Sequence, residues 1–416
     1  MRKIIIIFLI IISIPSFSQD PSFSLFDLGS IYMNPSYTGA SGHPKFLLIK
    51  RNQWQKYNIP SNGEFNGNPG GIRPFVTTLA EFSVGIDAGN DGRVGLRTIG
   101  IGASFMFEDH LLIPNLLSNT IFLRRHDYQA YLSGLFKIGK TKPFFRRGRK
   151  SSVIHYAQPA ISYGQSIYGL QTEGIVTSEM LTPYTLSYSG LPDPSINIQD
   201  LAINKRPFHK LVIGLLYSAQ GNTNSSGYNI TESGFAFQRM TEGFNNNPLT
   251  SRITLHINHK ESLPDWKLKM IPFWNISAKR EIYYSGGPFT NKIMGKTEIG
   301  GSVEVGRSSL IELGSFIRFT SDYTDEKLDV NWQTISPFIR LNIPGIKHKF
   351  QFSYCVDIES TFFTNPENDL YIANTGITNE IGFTIIFWGG KGPKECIKYG
   401  IMKQNGLLQD IMKNGF

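Results

Sequence analysis

Apolar and polar residues alternate along most of this chain. Ile99, Ile101, Ala103, Phe105 and Phe107 interleave with Gly100, Gly102, Ser104, Met106 and Glu108. Phe350, Phe352, Tyr354, Val356 and Ile358 alternate with Gln351, Ser353, Cys355 and Asp357, and Ile381, Phe383, Ile385 and Phe387 with Glu380, Gly382, Thr384 and Ile386. A period of two is the mark of a strand with one apolar face. Helical periodicity is scarce. The pattern predicts strands over 45–54, 73–87, 92–107, 126–139, 153–167, 208–220, 230–240, 251–260, 267–281, 293–305, 309–321, 332–343, 347–359 and 378–388.

Alternation does not say which face meets water. A sandwich buries the apolar face against a second sheet; a membrane barrel turns it to lipid and points small and polar residues inward. Three features favour the barrel. Predicted strands of 10–15 residues exceed those typical of soluble sheets. Short connections such as AGND, ESLPDW, GRS and IPGI follow even-numbered strands, whereas the connection over 168–207 follows an odd one. Short turns at one end and long loops at the other are an up-and-down membrane barrel's pattern. Trp54, Tyr57, Phe75, Phe107, Trp266, Tyr283, Trp332 and Trp388 near strand ends would supply interfacial girdles. The expected fold is therefore all-β, a transmembrane antiparallel barrel of about 14 strands over 45–388, closed by 378–388.

The N-terminus refines the location. Arg2 and Lys3 precede an apolar run from Ile4 to Ile14, then Pro15 and Ser16-Phe17-Ser18. This reads as a secretory signal peptide over 1–18, cut before Gln19; the run is too short for a bilayer span of about 20 residues. An exported barrel belongs in the outer membrane, in contact with its lipid. The expected divisions are then 19–44, a plug-like or periplasmic segment; 45–388, the barrel; and 389–416, a periplasmic tail.

Charged residues are 18% of the chain against about 25% in soluble proteins. The net charge of +9 raises nucleic acid as a partner, but an exported chain with scattered Lys and Arg argues against it. One strong cluster stands out in KTKPFFRRGRK: Lys140, Lys142, Arg146, Arg147, Arg149 and Lys150. Strand parity puts it at the periplasmic face, as a solvated turn on anionic headgroups or a docking site for periplasmic machinery.

Catalytic and cofactor chemistry finds little support. His256 and His259 have a spacing that, in a strand, sends them to opposite faces, so they do not form a joint metal site. His155, His209 and His348 are isolated and expected at loops or strand ends. GGKGPK lacks the Gly-Lys-Ser/Thr of a phosphate loop. No local motif supports a Ser-His-carboxylate set. Cys355 and Cys396 cannot build a disulfide framework. No catalytic residue, metal or cofactor is predicted.

The segment over 19–44 is unusual for a linker. It carries Phe23, Phe26, Tyr32 and Tyr37, too many aromatics for a typical disordered stretch. Asp20-Pro21 and Asn34-Pro35 initiate turns, and Gly39 permits a positive φ. Such a segment either enters the lumen or packs beneath the barrel. An inward Arg51 would there meet its carboxylates, Asp20 and Asp27.

QDPSFS, NPSYTG and RNQWQKY, in that order, resemble the start of the PorP/SprF family, outer-membrane proteins associated with type IX secretion and gliding motility in Bacteroidetes. The matching residues are Gln19, Asp20, Pro21, Phe23 and Ser24; Asn34, Pro35 and Gly39; and Arg51, Gln53 and Trp54. Asn379-Glu380-Ile381 is similar to the family's His-Glu-Ile in the closing strand, with Asn in place of His, and Cys396 follows where the family often has a cysteine. Ser36 replaces the usual Ala, and Ile397 the usual Pro. The resemblance covers 19–57 and 378–396. It implies a non-enzymatic barrel that works with the type IX secretion machinery. Its partners would be periplasmic components and a secreted cargo or adhesin, held through its C-terminal sorting domain. The rival expectations are a transporter of hydrophobic or small solutes and an outer-membrane enzyme.

Overall fold

The computed structural model describes residues 23–28, 30–53, 75–88, 94–114, 120–141, 152–170, 207–222, 228–240, 251–262, 273–285, 292–305, 310–324, 327–344, 348–359 and 378–387. Fourteen strands run β1 (Lys45–Gln53), β2 (Phe75–Asp87), β3 (Gly95–Pro114), β4 (Thr120–Thr141), β5 (Ser152–Leu170), β6 (Pro207–Asn222), β7 (Tyr228–Met240), β8 (Ser251–Ser262), β9 (Phe273–Ser285), β10 (Lys292–Val305), β11 (Ile311–Thr324), β12 (Lys327–Pro344), β13 (His348–Glu359) and β14 (Thr378–Phe387). Each pairs antiparallel with its sequence neighbours, and β14 closes the barrel against β1 from Lys45↔Ile386 to Asn52↔Asn379. Closure leaves no unpaired edge, which a sheet in hydrocarbon requires.

Two expectations about the connections need correction. The hairpins predicted to break off at 107 and 126, and at 321 and 332, are longer: β3 and β4 continue pairing to Pro114↔Thr120, and β11 and β12 to Thr324↔Lys327. The residues on both sides of these two connections extend the strand pairing. The ninth strand, expected over 267–281, continues to Ser285; it is described from Phe273, and 267–272 lie outside the described residues. It is the register of Trp274 to Ser285 against β10 that fixes it.

The direction of the two faces settles the architecture. Ile101, Phe105, Leu132, Ile161, Ile213, Leu215, Phe352 and Ile381 are exposed on the outer surface. Their alternates on the inner surface include Ser104, Glu108, Arg125, Asp127, Ser162, Lys210, Asp357 and Glu380, all buried. A soluble sandwich has the opposite polarity. An apolar exterior around a polar, charged interior is the arrangement of an outer-membrane barrel.

Ile213 lies near the middle of β6 and is 50% exposed. Ile213→Arg is expected to lower folding stability in lipid vesicles by about 2–4 kcal/mol, the cost of a cation at mid-bilayer. Urea titration of vesicle-folded protein measures it, and an unchanged midpoint would count against a lipid-facing Ile213.

The expected girdle also needs one correction. Phe107 points outward, but Tyr283 shares the inner face with Lys279 and Glu281 and is buried in the lumen. Its hydroxyl donates to Glu281 Oε2 at 3.2 Å. Trp54, Tyr57, Trp266 and Trp388 lie outside the described residues.

Candidate functional site: the occupied lumen

A barrel of 14 strands encloses more space than its own inner side chains fill. Here the N-terminal segment takes up that space. Phe23, Leu25, Phe26, Leu28, Ile31, Tyr32, Met33 and Ala40 are all buried, and their neighbours include Leu47, Ile49, Leu79, Phe316 and Phe338 of the inner wall. Short 3₁₀ turns at Phe26–Leu28 and Pro35–Tyr37 fold the segment back on itself. The second is capped locally: Asn34 is extended, its Oδ1 accepts from Ser36 N at 2.9 Å, and Pro35 supplies a preset φ at the first position.

Main-chain groups inside a lumen need partners as much as those in a core. The wall supplies them with side chains. Glu380 accepts from Ser24 N (2.9 Å) and Leu25 N (2.8 Å). Glu81 accepts from Ile31 N (3.1 Å), Tyr32 N (2.9 Å) and the Ser30 hydroxyl (2.5 Å). Carbonyls are met by donors: Leu28 O by Lys45 Nζ at 2.6 Å, and Thr38 O by Ser133 Oγ and Gln158 Nε2, both at 2.7 Å.

These groups belong to a belt of buried charge. Arg51 pairs with Asp357 (2.6 Å) and Glu380 (3.0 Å). Arg318 joins Asp357 (3.4 Å) to Glu298 (2.6 Å), and Lys279 joins Glu298 (3.1 Å) to Glu281 (3.8 Å), which Arg252 approaches at 3.9 Å. Across the lumen, Asp127 holds Arg125 (2.8 Å) and Lys210 (3.5 Å), and Arg125 lies 3.7 Å from Glu108. Tyr32 links the two arcs. Its hydroxyl donates to Asp127 Oδ2 at 3.1 Å, while Lys210 and Arg252 lie over its ring at 4.1 and 5.6 Å. Aromatic faces are a good surface for buried cations, and Lys279 uses Phe26 the same way, at 4.7 Å.

Glycines make room for the segment. Gly39 has φ +68, and a Cβ there would come within 2.6 Å of Gly100 Cα. A Cβ on Gly100 would lie 2.2 Å from Thr38 O and 2.3 Å from Ser133 Oγ. Gly214 and Gly234 similarly admit Asn34. Gly100→Ala is expected to cost about 1–3 kcal/mol by overpacking and to make residues 23–43 more susceptible to protease. Gly139→Ala, with open space around the added atom, is expected to do neither. Limited proteolysis beside thermal unfolding in detergent compares the two.

The residues singled out in sequence are placed as follows. Phe23, Ser24, Asn34, Pro35 and Gly39 lie in the lumen, and Arg51 and Glu380 on the wall beside Ser24. Gln53 ends β1. Gln19, Asp20, Pro21 and Trp54 lie outside the described residues. Arg51 pairs with Asp357 of β13 and Glu380 of β14 and donates to the Ser24 hydroxyl; Asp20 and the side chain of Asp27, its expected partners, lie outside the described residues. Glu380 lies directly across from Arg51 in register, and Asp357 reaches it from β13, the next strand round the wall. Lys140 is exposed at the end of β4; Lys142, Arg146, Arg147, Arg149 and Lys150 lie outside the described residues.

His256 faces inward and its Nε2 is 2.8 Å from Tyr37 Oη, whereas His259 lies on the other face beside Trp274. His155, His209 and His348 lie at or near the starts of β5, β6 and β13, the strand ends where they were expected, and the first two stack on Tyr217 and Tyr163. Strand pairing sets each tyrosine diagonally from its histidine, two positions along the neighbouring strand. Cys355 is buried against Asp357; Cys396 lies outside the described residues.

Glu81, Asp357, Arg318, Glu298 and Lys279 were not singled out as site residues from sequence. Each of the wall residues is a charge at a polar position of an alternating strand, which marks it as inward once the barrel is recognised. Its partner was not readable, because pairing runs between strands.

No family model and no curated protein matches this chain. Solved structures with a similar fold include CdiB from Acinetobacter baumannii (8% identity, TM-score 0.38, over 82% of this chain and 60% of that one). Others are the Ralstonia pickettii toluene transporter TbuX (12%, 0.33, 86% and 92%) and the CymD monoaromatic hydrocarbon channel (12%, 0.36, 86% and 91%). The chain thus spans less than two thirds of CdiB's length. Scores this low assign no function.

A cavity of about 420 Å³ opens on the outer face, between Leu215, Phe235, Leu255, Ile257 and Ile299. Arg280 borders it, its guanidinium held by Thr297 Oγ1 at 2.5 Å and Ser321 Oγ at 3.2 Å.

Proposed function

We propose that this protein is a non-enzymatic outer-membrane component of the type IX secretion and gliding system. In this reading it anchors a secreted protein, or helps export it, through that protein's C-terminal sorting domain, and its periplasmic face meets the secretion machinery. One observation carries the proposal. Family-like residues from opposite ends of the sequence converge on one cluster: Ser24 of the first motif, Arg51 of the second region and Glu380 of the closing strand lie within hydrogen-bonding distance of one another. Scattered short matches have no reason to meet in space; a motif built around a segment seated in the lumen does.

The function follows from that seat. A lumen filled with polypeptide suits a protein that handles other proteins better than one that passes solutes freely. The surfaces left for partners are the two mouths of the barrel: the one where β1, β5 and β13 end, and the one where β4 ends, beside Lys140. Loop contact or strand addition would hold a cargo domain there.

The test is a mild-detergent capture of the tagged protein from its native outer membrane, with mass spectrometry of its companions. Recovery of a large secreted protein through its C-terminal domain is expected. Recovery of ring components alone would reassign it to the core of the machine, and recovery of neither would remove the proposal.

A second reading has one observation in its favour. The belt from Glu380 to Arg252 would line a polar passage if the segment withdrew, as a transporter of small solutes requires.

A further inference from the structure

We infer that the inner wall is a binding site for polypeptide main chain, and that residues 23–43 occupy it as an intramolecular ligand which a second polypeptide can replace. The inference rests on the protein-handling role proposed above and names the ligand class of that site.

The geometry distinguishes a bound peptide from core packing. Two wall carboxylates each grip two successive backbone N–H groups, with one oxygen for each. Glu380 takes Ser24 N on Oε2 and Leu25 N on Oε1; Glu81 takes Ile31 N on Oε2 and Tyr32 N on Oε1. Neither grip depends on which side chains the peptide carries. Carbonyls between and beside the grips face wall cations: Phe23 O lies 3.5 Å from Lys279 Nζ, Leu28 O 2.6 Å from Lys45 Nζ, and Tyr32 O 3.4 Å from Arg252 Nη2. Hydrogen bonds to ionised partners are the stronger kind, and here they are spent on the peptide unit.

Two side-chain slots add selectivity. Phe26 lies against Phe316 and under Lys279, and Tyr32 lies under Lys210. The site therefore selects a peptide with two aromatics about six residues apart, held by its N–H pairs. Two of these groups also have partners on the wall itself, Glu380 with Arg51 and Lys279 with Glu298, which hold them in place independently of the peptide. The segment is continuous with the wall at Pro44–Lys45, where Phe387 N donates to Pro44 O at 2.9 Å; its other contacts are non-covalent.

The experiment uses the full chain. A protease site is inserted between His43 and Pro44, both partly exposed; the protein is folded in detergent and cut. A fluorescent synthetic peptide of residues 19–43 is then offered, alongside the same peptide N-methylated at Ser24, Leu25, Ile31 and Tyr32. The unmodified peptide is expected to replace the cut segment at one per barrel. The methylated peptide keeps every side chain but loses the four donors, and is expected to bind at least tenfold more weakly, an amount one or two such bonds account for. Failure of the peptide to enter, collapse of the barrel on cutting, or equal binding of the methylated peptide would each overturn the inference. Successful exchange without capture of any secreted protein from membranes would leave this site standing and remove the cargo role alone.

Discussion

Arg51→Leu is expected to destabilise the folded barrel by about 3–5 kcal/mol, the usual cost of removing one member of a buried ion pair. Arg51 is 2% exposed and stands between Asp357 and Glu380, both equally buried. Without it two carboxylates face each other in the lumen, with Arg318 left to balance Asp357. The same substitution removes a donor to Ser24 Oγ, so the top of the lumen segment loosens with the wall. Urea unfolding in lipid vesicles reads the stability. A loss below about 1 kcal/mol, the value of an exposed pair, would show that water reaches this cluster. The triple variant Arg51→Leu, Asp357→Leu, Glu380→Gln is expected to recover part of the stability, because breaking a buried pair costs more than replacing it.

Deleting residues 23–43 is expected to convert a closed barrel into a conducting one. The segment buries its apolar side chains against Leu47, Ile49, Leu79 and Phe338 and fills the span between the two arcs of charge. Its removal leaves a wall of Arg, Lys, Glu and Asp around an aqueous passage. In planar bilayers the intact protein is expected to show no steady conductance, and the deletion variant stable single-channel steps. Gly100→Ala, which pushes on Thr38 without removing the segment, is expected to give brief, partial openings. A deletion variant that folds and stays silent would mean that the wall itself closes the lumen.

Much of this fold is legible in the sequence, for a physical reason. A lipid-facing wall forces every second residue to be apolar, so Ile99 to Phe107 and Phe350 to Ile358 announce their strands and the two faces. The closing strand was readable in the same way, as EIGFTIIF. What strand pairing decides was harder. The extensions of β3 to Pro114 and β12 from Lys327 carry no strict alternation, and they are held by their partners. Tyr283 looked like an interfacial aromatic because it lies near a strand end, yet parity with Lys279 turns it inward.

The lumen was legible only in outline. Phe23, Phe26 and Tyr32 signalled a segment that needs cover, and Asn34-Pro35 a turn. That Glu380 grips Ser24 across 356 positions of sequence, and pairs with Arg51, depends on the closure of β1 on β14. Local pattern carries no trace of that closure.

The central claim is that residues 23–43 are bound inside the barrel by its inner side chains. Hydrogen exchange of the purified protein in detergent, followed by mass spectrometry of peptides spanning 23–43, tests it most directly. The amides of Ser24, Leu25, Ile31 and Tyr32 are expected to exchange as slowly as those of β1 and β14, because buried carboxylates hold them. Exchange of these peptides at the rate of an unstructured chain, while the strands stay protected, would place the segment outside the lumen and contradict the account.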